Sequence, residues 1–177
     1  MVSAEQVFLE FSIAKLRQYT ARIRACLDPL DEPQIWHRPS AASNSIANLC
    51  LHLAGNVRQW ILHGIGGEPD IRRRDEEFAA RGGAAKDELI DRLEDTVRQA
   101  CELLESLPHA RLLETTRPQN YDVTVLEAIY HVVEHFSGHT GQIIAATKAI
   151  TGADLGFYRH LSGAVQPPPP PAGHEIP

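Results

Sequence analysis

Four stretches of this chain place apolar side chains at steps of three and four residues, the periodicity of helices that each bury one stripe. In the first, Val7, Phe8, Phe11, Ala14, Leu16, Ile23 and Leu27 recur between about Ala4 and Cys26, behind a capping box from Ser3 to Gln6. Pro29 and Pro33 mark its exit. The second is expected to begin at Asn44 or Ser45 and to use Ile46, Leu49, Leu53, Val57, Trp60 and Ile61. Gly64, Gly66 and Gly67 stop it. The third starts near Lys86, uses Leu89, Ile90, Leu93, Val97, Ala100, Leu103 and Leu104, and ends before Pro108. The fourth opens on a second capping box, Thr124 to Glu127, and reaches about Ile150, with Gly152 just beyond. With no internal repeat and no strand pair in view, the expected fold is all-α, a four-helix bundle with long crossover connections.

The connections carry prolines, glycines and charge. Asp31 to Ser40, with Pro33, Trp36 and Pro39, reads as an ordered loop whose Trp36 folds against the bundle. Glu68 to about Ala84 reads as an exposed connection. Within it Arg72, Arg73 and Arg74 are followed at once by Asp75, Glu76 and Glu77, which cancel their field, so a solvated loop is expected. A further loop holds Pro118 and Tyr121. At 177 residues the chain suits one domain, placed at 1–165. Residues 166–177 form a Pro-rich tail whose five consecutive prolines favour an extended, loose end.

A formal charge of -6, from 17 Lys plus Arg against 23 Asp plus Glu, lacks the basic footprint of a nucleic-acid binder. No apolar run approaches the ~20 residues of a membrane span, and no signal-peptide pattern opens the chain, so a cytoplasmic protein is expected. Cys26, Cys50 and Cys101 are odd in number, lack metal-type spacing and sit among apolar or helix-forming residues, which marks them as buried reduced thiols.

Histidine is where the chain turns to chemistry. His131, His135 and His139 follow one another at steps of four. A step of four advances only about 40° around a helix, so the three share one strip. With His131 as zero, Val125, Val132, Phe136 and Ile143 fall near about 100–140°, so His135 at about 40° and His139 at about 80° border the buried stripe. Gly138 and Gly141 flank His139 and permit a close approach by a helix or a ligand. His52, with Leu49, Leu53 and Trp60 within about 60–100° of it, borders the core in the same way. Burying three unpaired imidazoles together without a cation would be costly, which gives the trio a joint explanation. His37, His63, His109, His160 and His174 lie in loops, at helix ends or in the tail.

The segment Asn48-Leu-Cys-Leu-His52-Leu-Ala-Gly-Asn56-Val-Arg-Gln-Trp60 resembles the first histidine motif of the DinB-like superfamily, also called damage-inducible or YfiT-like. His131-Val-Val-Glu-His135-Phe-Ser-Gly-His139-Thr-Gly-Gln142 resembles its second, whose hallmark is HxxxHxGQ. The resemblance spans roughly residues 3 to 160 and implies a four-helix bundle, commonly dimeric, with a metal ion on His52, His135 and His139. His131 then lies beside the ligands or lines the pocket, as does Gln142, at about 20° on the same scale. Asn56, one turn beyond His52, is expected to orient that ligand.

Three neutral imidazoles leave a divalent ion, zinc or nickel first, with an open position for substrate or water. Such an ion acidifies water for hydrolysis or holds a small thiol as its thiolate. Characterised members of the superfamily include transferases that use bacillithiol or mycothiol and a thiol-dependent isomerase. The resemblance therefore implies a metal-dependent S-transferase that acts on a small-molecule substrate with a low-molecular-weight thiol. A metal-dependent hydrolase, a non-catalytic metal-binding or stress-response protein, and a helical dimer with vestigial histidines stay open beside it.

Overall fold

A computed structural model of the chain describes residues 1–159. Among these described residues are six α-helices: α1 (Ala4–Leu27), α2 (Glu32–Trp36), α3 (Ile46–Val57), α4 (Arg74–Ala79), α5 (Lys86–Glu105) and α6 (Val125–Thr151). Four of them, α1, α3, α5 and α6, form the expected bundle. α1 packs against α5 and α6, and α3 packs against the same two. The successive long helices α1 and α3 therefore stand at diagonal corners, as do α5 and α6, and the chain has to cross the bundle end between them. That requirement is the reason for the long connections. The stripes meet in a common core where Leu16, Leu27, Leu53, Ile61, Leu104 and Phe136 are fully or almost fully buried. Each such side chain contributes about 1.5–3 kcal/mol on removal from water, far more than helix propensity supplies.

The helix ends follow their caps. Thr124 and Glu127 form the full box at the start of α6, and Gly152 closes that helix in the left-handed region at φ 67°. At α1 only half of the expected box forms: the Ser3 hydroxyl accepts from Gln6 N at 3.2 Å, while the Gln6 side chain turns outward to Glu10. α3 opens on a box not anticipated in detail, Ser45 with Asn48, and continues past Val57 as a π-helical turn, Arg58–His63.

Three connections differ from expectation. Asp31 and Gln34 cap the five-residue α2 where an ordered loop was expected, and Trp36 does fold inward, donating from Nε1 to the Ala84 carbonyl at 3.3 Å. A short antiparallel pair, Thr115 with Thr124 and Thr116 with Val123, joins α5 to α6; two-residue strands leave no alternation for a sequence to display. The Glu68 to Ala84 segment is not simply exposed: it contains α4, and the side chains of Arg72 and Glu77 are buried. The Pro-rich tail at 166–177 lies outside the described residues, as do His160 and His174. Among the described residues, no helix is long and apolar enough to cross a membrane.

Candidate metal centre

The site begins with Asn48, whose side chain is wholly buried in the first turn of α3. Its Oδ1 accepts from Arg38, and its Nδ2 donates to the carbonyls of Glu77 at 2.8 Å and Ala80 at 3.0 Å. These bonds fasten α4 across the start of α3, one turn before His52. The strap brings Glu77 to His52 and lays the Phe78 ring 4.5 Å from the imidazole.

Opposite, α6 presents its histidine strip. His135 Nε2 lies 3.0 Å from His52 Nε2 and 3.2 Å from His139 Nε2. Among the described residues, the group of His, Cys, Asp or Glu able to hold a metal ion consists of His52, His135 and His139, with one donor atom from each lying within 4.8 Å of the others. A neutral ring nitrogen carries either one proton or one lone pair, so His135 Nε2 cannot make good hydrogen bonds to both neighbours at once. A cation placed among the three nitrogens satisfies all of them. The donor set therefore fits a divalent ion of the type that imidazole binds.

Protonation offers no alternative solution. Burial, followed by the charges of His139, His52, His131 and Arg72, pushes His135 down to about 3. His139 is also lowered, by burial and then by His52 against the opposing hydrogen bond of Gln142. His135 thus stays neutral in the folded chain through the mildly acidic range, whereas the unfolded chain takes up a proton there near the ordinary value of about 6.5. The sign follows: this stability is present above that value and is lost as pH falls through the window below it. Between about pH 7.5 and 5.5, His135 alone should cost the chelator-treated chain about 1 kcal/mol. Urea midpoints measured at the two pH values check this, and equal midpoints would contradict it.

The other expected site residues are found around this group. His131 stacks on Trp60 with ring centroids 4.0 Å apart and lies 5.5 Å from the His135 ring, so it forms a wall beside the three nitrogens. Gln142 Oε1 sits 3.0 Å from His139 Nδ1. Asn56 is buried, yet its Oδ1 has no hydrogen-bond partner among the described residues and it does not orient His52. That place is taken by Glu77 Oε2 at 3.1 Å and Arg72 Nη2 at 3.0 Å from His52 Nδ1. Gly138 and Gly141 receive no close neighbour, since an added Cβ would meet nothing within 4 Å at either.

Arg72 and Glu77 are the residues that sequence reasoning missed. Burial raises the Glu77 carboxyl, but the hydrogen bonds and charges of Arg72 and His52 outweigh it and hold the group below its usual range. No local spacing marks them, since Arg72 precedes α4 and five residues is not a helical pairing step. The cysteines, by contrast, are as expected: all three are buried and free, and burial pushes Cys50 up to about 12, which leaves it inert.

A family model described as "Protein of unknown function (DUF1572)" matches residues 3–163. The chain belongs to the DUF1572 family. No curated protein matches it. Among solved structures, a conserved protein from Enterococcus faecalis is similar at 17% identity with a TM-score of 0.68, covering 81% of this chain and 97% of that one. At that identity the likeness speaks for the fold, and it extends the helical bundle of this DUF1572 chain to a second protein.

Proposed function

We propose that this DUF1572 chain is a metal-dependent S-transferase of the DinB-like type, holding zinc or nickel on His52, His135 and His139 and joining a low-molecular-weight thiol to an electrophilic small molecule. The observation that carries the reading is the convergence of His52 Nε2 and His139 Nε2 on His135 Nε2, each within hydrogen-bond distance of it, which hydrogen bonding among neutral rings cannot satisfy. The HxxxHxGQ resemblance supports the choice of thiol chemistry over water. A bound divalent ion would supply Lewis acidity, stabilising a thiolate at neutral pH.

The chain's own side chains supply the rest. Glu77 and Gln142 hold the Nδ1 sides of His52 and His139, so that both rings keep their Nε2 atoms directed inward. Phe78 on one side and the Trp60–His131 stack on the other limit water around the group. In the reaction the S–H proton passes to solvent, the sulfur forms a bond to the electrophilic carbon, and the leaving group departs with its electron pair. The resemblance also implies a homodimer, for which the exposed Val7 and Phe11, one turn apart on α1, offer an apolar strip.

The test uses chelator-treated protein reloaded with zinc or nickel, a small thiol, and a chlorodinitrobenzene as model electrophile. Thiol consumption that requires the ion supports the transferase. Ion-dependent ester cleavage without thiol would replace it with a hydrolase, and tight ion binding with neither reaction would reduce the site to a binding role.

A further inference from the structure

The three imidazoles are held very differently on their outer sides. His139 Nδ1 meets the neutral, exposed Gln142, and His135 Nδ1 is buried with no partner among the described residues. His52 Nδ1 lies 3.1 Å from Oε2 of Glu77, a buried carboxylate that is itself clamped, and 3.0 Å from Nη2 of Arg72, the residue that clamps it. Glu77 Oε1 accepts from Arg72 Nε at 2.8 Å, and Oε2 accepts from Arg72 Nη2 at 2.9 Å. Arg72 is fixed in turn by Nη1 donating to Gln59 Oε1 at 3.0 Å. The side chain of Arg72 is 2% exposed and that of Glu77 9%, so both partners of the pair are largely withdrawn from water.

We propose that Glu77, seated by Arg72, is a positioning residue that locks His52 as the Nδ1–H tautomer and so turns its Nε2 lone pair toward His135 and His139. The inference rests on the metal-site reading above and adds which residue prepares it. An ionised carboxylate only accepts, and Arg72 Nη2, which donates to Glu77 Oε2 at 2.9 Å and to the His52 carbonyl at 3.4 Å, has its two protons engaged there, so the hydrogen bond between Glu77 and the ring places the proton on Nδ1. A neutral imidazole protonated at Nδ1 has its lone pair at Nε2, the form that ligates a metal. Arg72 contributes by occupying both oxygens in a bidentate fork, which fixes the carboxylate plane and neutralises its charge. Glu77 thus presents two acceptor oxygens to three donors, an arrangement that an amide cannot reproduce. In Glu77→Gln either the amide N–H₂ opposes Arg72, or it opposes His52 and moves the ring proton to Nε2.

Two readouts test this on the full chain. Ring-nitrogen NMR of the metal-free protein should show the His52 Nδ1–H form in wild type and its loss in Glu77→Gln. Chelator competition with zinc should show about 10–100-fold weaker binding in Glu77→Gln. In Gln142→Ala, where an exposed neutral partner is removed, the loss should be smaller. Because Glu77→Gln leaves Arg72 less well paired and risks misfolding, the double variant Arg72→Met/Glu77→Gln serves as the second probe. Its Gln oxygen is free to accept from His52, so the tautomer should return and zinc affinity should recover in part. Unchanged tautomer and affinity in Glu77→Gln would overturn the proposal while leaving the metal site standing. If wild type binds no zinc, the metal reading fails, and the tautomer comparison alone decides whether Glu77 positions His52.

Discussion

His135→Ala should abolish retention of a divalent ion while leaving the bundle intact. Grown with zinc or nickel, wild type is expected to carry about one equivalent of ion and the variant none. The effect is large because His135 Nε2 is the shared atom of the group, within hydrogen-bond distance of both other rings. The fold survives because His135 Nδ1 has no partner among the described residues, and its Nε2 neighbours are two neutral rings rather than a charged group, so truncation leaves no buried charge unpaired. Removing an imidazole whose protonation burial pushes down to about 3 in the folded state should also lessen the acid sensitivity of the metal-free chain. His52→Ala, analysed in parallel, should likewise lose the ion, but with a loss of stability, since it strips a partner from buried Glu77 and Arg72. Metal content by mass spectrometry and thermal melts of the metal-free proteins report both quantities. Equal ion content in wild type and either variant would remove that histidine from the ligand set.

Gly55→Ala is the second substitution with a large expected effect, and its sign is diagnostic. In an ordinary helix interior this change stabilises by up to about 1 kcal/mol. Here the added Cβ would collide with Glu77 Oε1 and approach Arg72 Nε to 3.0 Å. Neither atom belongs to a side chain free to move, because both are committed to the buried ion pair and, through it, to His52. Breaking such a pair costs about 3–5 kcal/mol, which outweighs the gain in propensity. Urea unfolding should therefore show a net loss of about 2–4 kcal/mol, from those two terms together. Weakened zinc binding should accompany it. A variant as stable as wild type would mean that α4 is not held against α3 as described.

Much of the architecture could be read before any coordinates. Leu16, Leu53, Leu104 and Phe136 mark their helices by periodicity, and the caps at Ser45 and Thr124 give starts within a residue or so. The histidine strip on α6 was equally visible, since steps of four have one meaning on a helix. The connections were less legible. Arg72 and Glu77 look like solvated charges because lone Arg and Glu are seldom buried, and nothing local says that each has found the other. Asn56 stands one turn from His52 and invites pairing with it, but a helical neighbour four residues away competes with partners brought by another segment, and here the other segment prevails.

What the chain determines on its own is direction: which residues of each helix face inward, and that His52 and the pair His135 and His139 border that inward face. Tertiary structure decides company. It sets α1 and α3 at diagonal corners, straps α4 over α3 through Asn48, and places a carboxylate rather than an amide behind His52. The physical reason is that helical periodicity refers each side chain only to its own axis. Which charges lose water together depends on how distant segments cross, and a buried ion pair is tolerable only once both partners have arrived.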